Sequence, residues 1–293
     1  MGQKRFLEIY VLSYTCLEVM YMNIKPNVVN FHFVDYCNYK CTYCFVKKIS
    51  RMTSFLKITK IIDNVKKYFL DINTRGRINL VGGEVFMCNY LQDIIDYINK
   101  CDIDVSIVTN GSLLTEEFIV KNKDKIQSIG ISVDSLNEET NLRIGRCCNN
   151  KTINNDSLVS LCRCIKENNI KLKINHCISK YNYDEDISWF IKEVKPDRFK
   201  IFQMTVVNGI NDDAKDMQLT SDEFDNCCKK YLHLKPIIEK ECEMKCSYIM
   251  IDSSGDVYID REEEKLGNAI NEEFKEIIEK AKIDEKAYLK RYY

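Results

Sequence analysis

One stretch of this 293-residue chain decides its fold, and it reads Asp35-Tyr36-Cys37-Asn38-Tyr39-Lys40-Cys41-Thr42-Tyr43-Cys44-Phe45. Its three cysteines have C-x3-C-x2-C spacing and follow an apolar run, Val28 to Val34, that is typical of a buried strand. A structural zinc site needs four ligands, and no histidine or fourth cysteine follows at zinc-finger spacing. Three thiolates on a four-iron cluster leave one iron open to a cofactor. The stretch therefore predicts that Cys37, Cys41 and Cys44 bind an iron–sulfur cluster where a strand ends.

Composition indicates a soluble globular protein, with 45% hydrophobic and 30% charged residues. The formal net charge is −1, so no general basic field attracts nucleic acid, and we expect no direct nucleic-acid partner. Fifteen cysteines in a long chain without a recognisable signal peptide predict a reducing cytoplasm. The segment Phe6 to Tyr21 is too short and, with Glu8 and Glu18, too charged to span a membrane. We therefore expect a cytoplasmic protein with no membrane partner.

Six strand-like segments alternate with helix-like segments, which predicts repeated βαβ units and a parallel sheet. The predicted strands are Val28–Val34, Arg77–Val81, Val105–Thr109, Ser128–Val133, Lys171–Ser179 and Arg198–Met204. The predicted helices are Ser54–Leu70, Tyr90–Asn99, one capped by Thr115, Ser157–Glu167 and Asp184–Val194; a charged loop is expected before Arg146. The fold class is thus α/β, a partial (β/α)6 barrel.

Three regions divide the chain. Residues 1–26 are an extension of unclear role, residues 27–219 form the barrel, and residues 220–293 form a C-terminal extension that packs on the barrel and helps to close the substrate site. Within the extension, Tyr248–Asp252 and Asp256–Asp260 flank Ser253-Ser254-Gly255, which predicts a hairpin.

The six predicted strands each have one apolar and one polar face, because successive side chains point in opposite directions. The apolar set is Val29, Phe31, Phe33, Ile78, Leu80, Ile107, Ile131, Val133, Leu172, Ile174, Phe199 and Ile201. The polar set is Asn30, His32, Arg77, Asn79, Ser106, Asn110, Ser132, Asp134, Lys173, Asn175, Arg198 and Lys200. Parallel strands covered by helices on both faces are usually apolar on both. The polar face therefore predicts the lumen of a partial barrel.

Four cations belong to the polar set: Arg77, Lys173, Arg198 and Lys200. Buried cations are unfavourable unless they are paired, and Asp134 is the only acidic member of the set. An anionic ligand with several phosphates would resolve this imbalance through forked guanidinium and ammonium donors. The alternative for each residue alone is a side chain at a strand end that extends to water.

Several polar and cysteine residues have two interpretations. Asn110 and Ser132 follow or close strands and could contact a ligand or cap the strand end, whereas His176 on the helix-facing side is expected to be packed. Gly82-Gly83-Glu84 follows the second strand, where missing side chains let the backbone approach a ligand. The other cysteines are interpreted as small hydrophobic residues, with a second cluster at Cys227, Cys228, Cys242 and Cys246 as the alternative.

The cysteine spacing, with Tyr43 before the last cysteine, resembles the signature of radical S-adenosylmethionine (radical SAM) enzymes. The resemblance implies a [4Fe-4S] cluster whose open iron binds S-adenosylmethionine. One electron from the cluster then yields a 5′-deoxyadenosyl radical that takes hydrogen from the substrate. Gly82, Gly83 and Glu84 would bind the methionine moiety, although Val85 stands where that family usually has proline. Asn110, Ser132 and Asp134 would complete the cofactor site.

Further stretches, in order along the chain, resemble the viperin family and its microbial members. They are 29–33, 37–41, 106–113, 131–135, 144–146, 173–175, 198–203 and 247–249. The resemblance implies dehydration of a nucleoside triphosphate (CTP, GTP or UTP) to its 3′-deoxy-3′,4′-didehydro analogue, a terminator of viral RNA chains in antiviral defence. The adenosyl radical would take the ribose 4′-hydrogen, and the 3′-hydroxyl would leave.

The same resemblance assigns roles by position. Tyr248 would donate a proton to the departing hydroxyl, or else be a packed strand tyrosine. The substrate would be held by Asn30, Arg77, Arg146, Lys173, Asn175, Arg198, Lys200 and Arg291. Arg77 stands where the animal enzymes have lysine, and their N-terminal amphipathic membrane helix is not evident here. A flavodoxin or ferredoxin would supply electrons.

Two other functions compete with this one. Another radical SAM reaction, such as peptide or cofactor modification, would be favoured by solvent-exposed lumen cations or by a cluster at the C-terminal cysteines. A non-catalytic iron–sulfur or zinc protein belongs to a different class, and metal analysis separates it from the enzyme.

Overall fold

Ten strands form one sheet in the computed structural model, which describes residues 24–46, 51–259 and 265–292. They are β1 (Val28–Val34), β2 (Arg77–Gly82), β3 (Asp104–Thr109), β4 (Ser128–Ser132), β5 (Lys171–Ile178), β6 (Arg198–Gln203), β7 (Ile237–Glu239), β8 (Met250–Ile251), β9 (Asp256–Tyr258) and β10 (Gly267–Asn268). Their order is β10-β9-β8-β1-β2-β3-β4-β5-β6-β7. All pairs from β8 to β7 are parallel, and β9 is antiparallel to both of its neighbours, β8 and β10. The predicted α/β class and open, partial (β/α)6 barrel are confirmed.

The helices are α1 (Phe55–Asp71), α2 (Leu91–Lys100), α3 (Glu116–Lys121), α4 (Glu138–Ile144), α5 (Asn155–Glu167), α6 (Ser188–Val194), α7 (Ser221–Lys229), α8 (Glu241–Met244), α9 (Phe274–Glu279) and α10 (Glu285–Tyr292). Thr115 caps α3 as predicted, because its side chain accepts a hydrogen bond from the Phe118 amide. The expected charged loop before Arg146 is wrong. This segment forms α4, and the Asn137 side chain caps it by accepting hydrogen bonds from the amides of Glu139 and Thr140. The helix was not predicted because it is short and its surface residues are charged.

The two strand faces separate as the alternation predicted. The apolar set forms the core against the helices, and every member of it is buried. On the other face, strand register places Asn30 beside Asn79 and Asn79 beside Ser106. Lys173 lies beside Arg198, and Asn175 beside Lys200, on the neighbouring strands β5 and β6. The polar residues therefore form one continuous lumen surface.

Strand β7 was not expected from the sequence. Its three residues pair in parallel with β6 and extend the parallel sheet beyond the six predicted strands. Its last residue, Glu239, is a buried carboxylate. A three-residue strand between a lysine-rich turn and a charged helix is too short for alternation to reveal.

The C-terminal region closes the amino end of the sheet. The predicted hairpin is present as β8 and β9, and β8 pairs with β1. Helix α10 buries Tyr288, Arg291 and Tyr292. The Tyr288 hydroxyl accepts hydrogen bonds from the backbone amides of Asn27 at 2.9 Å and Val28 at 3.0 Å. This hydroxyl thus joins α10 to the beginning of the first barrel strand.

None of the helices in the described ranges has the length and apolar character needed to cross a membrane. The segment Phe6 to Tyr21 lies outside the described residues.

Replacing Tyr288 by phenylalanine should lower the free energy of unfolding by about 1–3 kcal/mol, because backbone amide donors at the start of β1 lose their acceptor. Anaerobic urea denaturation measures the change. Tyr183→Phe is the matched control: this side chain is 47% exposed, and its loss of a hydroxyl should change stability by less than about 0.5 kcal/mol. Equal stability of the two variants would contradict this role of Tyr288.

Candidate active site

The cysteine loop lies at the carboxyl end of β1 and is held by the segment that follows α4. The amide of Lys40 donates to the Gly145 carbonyl, and the amide of Thr42 donates to the Ile144 carbonyl, both at 3.0 Å. The Asn211 side chain donates to the Tyr43 carbonyl at 3.0 Å. These hydrogen bonds fix the loop backbone on two sides, so the cysteines have a defined place above the lumen.

The Gly82-Gly83 pair lets the end of β2 lie directly against this loop. The Gly83 amide donates to the Val34 carbonyl at 2.7 Å, and the Glu84 amide donates to the Tyr36 carbonyl at 3.0 Å. A Cβ atom on Gly83 would lie 2.0 Å from the Tyr36 carbonyl oxygen, and Gly82 has φ of +140°. Both positions therefore require glycine. In this structure the close approach is to the backbone of β1 and the cysteine loop.

The Glu84 carboxylate joins the ends of β2 and β3. It is fully buried. It accepts hydrogen bonds from the Thr109 hydroxyl at 2.7 Å, the Asn110 amide at 2.8 Å and the Phe86 amide at 3.2 Å. Burial nevertheless raises the Glu84 pKa above its ordinary value. Its described contacts hold together the rim on which the cysteine loop rests.

Asn110 follows β3 and reaches the cysteine loop directly. The side-chain nitrogen of Asn110 donates to the side-chain oxygen of Asn38 at 2.9 Å and lies 3.6 Å from the Cys37 sulfur. Its side-chain oxygen accepts from the amide and hydroxyl of Ser112 at 2.9 Å and 2.7 Å. Asn110 thus caps its own turn and also contacts a cysteine, while its contact with a ligand stays a prediction.

Asp134 and Arg146 form a buried ion pair beneath the cysteine loop, with 2.9 Å between Nη1 and Oδ2. The Tyr43 hydroxyl donates to the same carboxylate at 2.6 Å, and Arg146 also donates to the Ser132 carbonyl at 2.6 Å. Burial alone would lower the Arg146 pKa, but Asp134 holds it above its ordinary value. Arg146, assigned by resemblance to the substrate, therefore lies at the cysteine end of the lumen beside the Tyr39 ring.

The opposite end of the lumen holds the predicted cations. Arg77 and Arg198 begin β2 and β6, and Lys173 is the third residue of β5. At about 3.3 Å per residue, Arg77 lies about 16 Å along β2 from Gly82. No acidic side chain in the described ranges forms an ion pair with these three cations.

Their contacts are with neutral groups. The Lys173 ammonium donates to the Ser106 hydroxyl at 3.2 Å. Arg198 donates to the backbone carbonyls of Arg291 at 2.7 Å and Tyr292 at 3.2 Å, which cap the end of α10. The Arg77 guanidinium lies 5.7 Å from the centre of the Tyr292 ring. Three neighbouring basic side chains thus have no carboxylate partner in a partly buried space.

Glu239 is a buried acidic residue whose carboxylate reaches the basic side chains of the lumen, and sequence reasoning missed it. Its carboxylate lies 2.5 Å from the Lys200 ammonium and 2.9 Å from Nη1 of Arg291, and it accepts a 3.1 Å hydrogen bond from the Tyr248 hydroxyl. Glu239 thus adds a second acid to the polar strand set, in which Asp134 was the only one. One carboxylate still leaves the cations in excess.

Electrostatics at this end favour an anion. Burial lowers the Lys173 pKa well below its ordinary value, and Arg77, Lys200 and Arg198 lower it further. Burial lowers the Lys200 pKa to about 8 in spite of Glu239. Within the described residues, the buried Nε atoms of Arg77 and Arg291 have no hydrogen-bond acceptor. A multiply charged anion would accept hydrogen bonds from these donors and raise the pKa of both lysines.

The two predicted asparagines differ in their surroundings. Asn30 is buried; it accepts from the Asn79 side chain at 2.8 Å and donates to the Tyr292 hydroxyl at 2.8 Å. Asn175 is half-buried beside Lys200 on the next strand. His176 is fully packed with Nδ1 2.9 Å from the Val133 carbonyl oxygen, as predicted from its helix-facing position.

Comparisons with known proteins agree with this geometry. Residues 31–194, more than half of the chain, match the family described as the radical SAM superfamily. A relative from Flammeovirga pacifica, named S-adenosylmethionine-dependent nucleotide dehydratase, is 32% identical over 245 residues, 80% of this chain and 82% of the relative. A Danio rerio relative, named S-adenosylmethionine-dependent nucleotide dehydratase RSAD2, is 31% identical over 242 residues, 78% of this chain and 65% of the relative. The chain belongs to the viperin-like family of radical SAM enzymes.

Solved structures support the fold of this viperin-like enzyme. Streptococcus suis SuiB bound to S-adenosylmethionine superimposes with a TM-score of 0.65 at 19% identity, over 90% of this chain and 67% of that one. At this identity the likeness concerns the fold alone. In this chain the cysteine loop lies at the carboxyl end of β1 in the open parallel sheet.

The cofactors of the viperin-like enzyme are a [4Fe-4S] cluster and S-adenosylmethionine, and the residues present fit them. The Cys37, Cys41 and Cys44 thiols are free, and the Cys37 sulfur accepts a hydrogen bond from the Tyr39 amide at 3.3 Å. Burial raises the Cys41 pKa to about 12, which bound iron must offset because the thiolate is the ligand. Gly83 leaves space at the loop that a side chain would fill.

The thiols of Cys37, Cys41 and Cys44 lie near one another but are not arranged as a complete set of metal ligands. Cys37 and Cys44 each contribute to raising the Cys41 pKa. No group of three or more metal-ligating side chains is preassembled in the described parts of the chain, these cysteines included. The same holds for the alternative cluster, in which Cys227 and Cys228 are buried and Cys242 is exposed.

Replacing Gly83 by alanine should reduce the iron and sulfide retained per chain after anaerobic reconstitution, because the new Cβ would displace the backbone at Tyr36, next to the first cysteine. Such overpacking costs about 1–3 kcal/mol. Gly209→Ala is the control for glycine replacement, since an added Cβ at Gly209 has no atom within 4 Å. Full iron retention by Gly83→Ala would contradict the proposed packing role.

Proposed function

We propose that this enzyme dehydrates a nucleoside triphosphate (CTP, GTP or UTP) to its 3′-deoxy-3′,4′-didehydro analogue. The observation that carries the proposal is the excess of buried positive charge at the amino end of the lumen, opposite the cysteine loop. Arg77, Lys173 and Arg198 have no acidic partner in the described ranges, and Lys173 has a strongly lowered pKa. A triphosphate supplies the charge and the acceptor oxygens that these donors require.

The length of the lumen supports the same substrate. A triphosphate bound near Arg77 and Arg198 directs the attached ribose toward the carboxyl ends of the strands, where the cysteine loop lies. Asn30 and Asn175 lie on the intervening surface and offer amide groups to the nucleoside. When bound, the cluster and S-adenosylmethionine supply the radical that takes the ribose 4′-hydrogen. Cys37, Cys41 and Cys44 would hold the cluster, and Asn110 and Ser132 would then be candidates to contact S-adenosylmethionine.

Loss of the 3′-hydroxyl requires a proton donor. Tyr248 lies beside the cations, with its hydroxyl bonded to Glu239 and its ring 3.5 Å from the Arg291 guanidinium. We assign it as the acid that protonates the departing oxygen, so that the hydroxyl leaves as water. Helix α10 packs beside this site, with Arg291 and Tyr292 buried.

Two further observations support the proposal. The relatives that match most of this chain are named nucleotide dehydratases. The lumen cations are buried or half-buried, which disfavours the alternative of a radical SAM enzyme with another substrate. A flavodoxin or ferredoxin as electron donor, a cytoplasmic location and antiviral chain termination by the product belong to the same proposal.

The test is an anaerobic assay of the reconstituted enzyme with dithionite, S-adenosylmethionine and each nucleoside triphosphate separately. We expect one triphosphate to stimulate 5′-deoxyadenosine formation and to yield a nucleotide that has lost one water, identified by mass spectrometry. That result also identifies the base. An intact cluster with no nucleotide-dependent cleavage would reject the dehydratase.

Replacing Lys173 by methionine should weaken triphosphate binding by about ten- to a hundredfold, because a charged hydrogen bond worth about 1.5–3 kcal/mol is lost. The free energy of unfolding should not decrease, because the variant removes a buried cation that has no acidic partner. Calorimetric binding and urea denaturation measure the two effects. Lys171→Met is the control, since Lys171 is exposed two residues earlier on the same strand. Reduced stability with unchanged affinity would contradict the assignment.

Triphosphate affinity should fall as pH rises above about 8. The Lys200 pKa is about 8 without nucleotide, and the bound anion raises it. Below about pH 8, Lys200 is protonated in both the free and the nucleotide-bound enzyme, so it adds no pH dependence to binding. Above about pH 8, the free enzyme must take up a proton to bind the nucleotide, and the affinity falls by up to about tenfold per pH unit. Calorimetry in buffers of different ionisation enthalpy detects the uptake. Lys200→Arg should abolish this component, and pH-independent binding by the wild type would disprove it.

A further inference from the structure

Glu239 contacts both the candidate acid and two of the candidate phosphate ligands. We propose that Glu239 is a positioning residue, which orients Tyr248 for protonation of the departing hydroxyl; this inference rests on the proposed dehydration. Neither strand β7 nor Glu239 was expected to take part in the site. Glu239 is buried, and its carboxylate makes three contacts with side chains from three different segments.

The contacts fix Tyr248 at its hydroxyl and across its ring face. Its hydroxyl donates to Oε2 of Glu239 at 3.1 Å. The Arg291 guanidinium lies 3.5 Å from the ring centre, and Nη1 of Arg291 is 2.9 Å from the same carboxylate oxygen. The Tyr292 ring meets Tyr248 edge-on at 6.3 Å. Because Glu239 holds both the hydroxyl and the group that covers the ring, it determines the tyrosine orientation.

The carboxylate itself has a rigid support. Glu239 ends β7 and pairs in register with Phe202 of β6. Its other oxygen lies 2.5 Å from Lys200, which also belongs to β6. Arg198 and Tyr292 are the remaining charged or titratable groups that its charge affects. A side chain placed by a paired strand is more precisely positioned than one placed by a loop.

The step that Glu239 supports is a proton transfer. The Tyr248 O–H bond breaks and its electron pair stays on the phenol oxygen, while the C3′–O bond breaks and its electron pair leaves with the hydroxyl oxygen. The proton joins that oxygen, and water departs. The radical cation left on C3′ and C4′ takes one electron from the proposed flavodoxin or ferredoxin, or from dithionite in the assay, and becomes the 3′,4′-double bond. The phenol oxygen then regains a proton from solvent. Glu239 neither gains nor loses a proton in this step, so its contribution is the orientation of the donor.

The decisive readout is the number of dehydrated nucleotides formed per 5′-deoxyadenosine. Glu239→Gln keeps the side-chain volume and removes the charge. We expect it to lower this ratio by about tenfold or more, because a misplaced general acid loses much of its contribution. Nucleotide-stimulated 5′-deoxyadenosine formation should continue, since cleavage of S-adenosylmethionine does not need the proton that Tyr248 donates. The ratio is internal to each sample, so a partly unfolded or cluster-poor preparation does not change it.

Three further variants complete the test. Glu239→Asp retains the charge on a shorter side chain and should recover part of the ratio. Tyr248→Phe should lower the ratio as Glu239→Gln does, and the double variant should be no worse than Tyr248→Phe, because one residue acts through the other. Glu243→Gln is the matched control: this partly exposed carboxylate binds Lys290 at 2.9 Å, and Arg291 contacts only its backbone carbonyl.

The outcomes separate the two proposals. A wild-type enzyme that forms no dehydrated nucleotide overturns the dehydratase and the role of Glu239 together. A wild type that forms it, with an unchanged ratio in Glu239→Gln, overturns the positioning role alone. Multiplicative losses in the double variant also overturn it, because they show that Glu239 and Tyr248 act separately.

Discussion

Burial of unpaired positive charge is the constraint on which the rest of this structure depends. A partial barrel that encloses Arg77, Lys173 and Arg198 without acidic partners is less stable than one with an apolar lumen. The outer face of the sheet must supply the compensating stability, and it does so with a continuous apolar layer against the helices. The unpaired cations of the site therefore destabilise the fold locally, and the apolar α/β core compensates for this loss.

The lumen has two chemically distinct ends joined by the strands. At the carboxyl end, Glu84 and Asp134 hold a loop of cysteines through short hydrogen bonds and one ion pair. At the amino end, Glu239 and α10 arrange cations around a space suited to an anion. Neither end has the other's ligands, so a molecule must extend along the strands to contact both.

The fold was predictable from the sequence to the extent that it depends on alternation and spacing. Strands β1 to β6 alternate clearly, and the cysteine spacing placed the loop after β1. Strand β7 was missed because three residues give no period, and α4 because its exposed face is charged. The site was predictable where it lies on long strands. Glu239 was not, since its role arises from pairing with β6 rather than from any local pattern.

Contacts that join distant parts of the chain also limit what the sequence reveals. Asn30 offered a free amide in the strand pattern, yet Tyr292 and Asn79 bind it. Arg198 was expected among phosphate ligands alone, yet it also caps α10. Only tertiary structure shows that the same donors have protein partners that a substrate must join or displace.

The Tyr288 hydroxyl links positions 261 residues apart in the sequence. During synthesis, β1 to β6 can therefore form their sheet well before α10 leaves the ribosome. The cluster loop belongs to the early part of this order, and the closure over the cations belongs to the last. A nascent chain could thus acquire iron at a stage when its phosphate-binding end is still open to solvent.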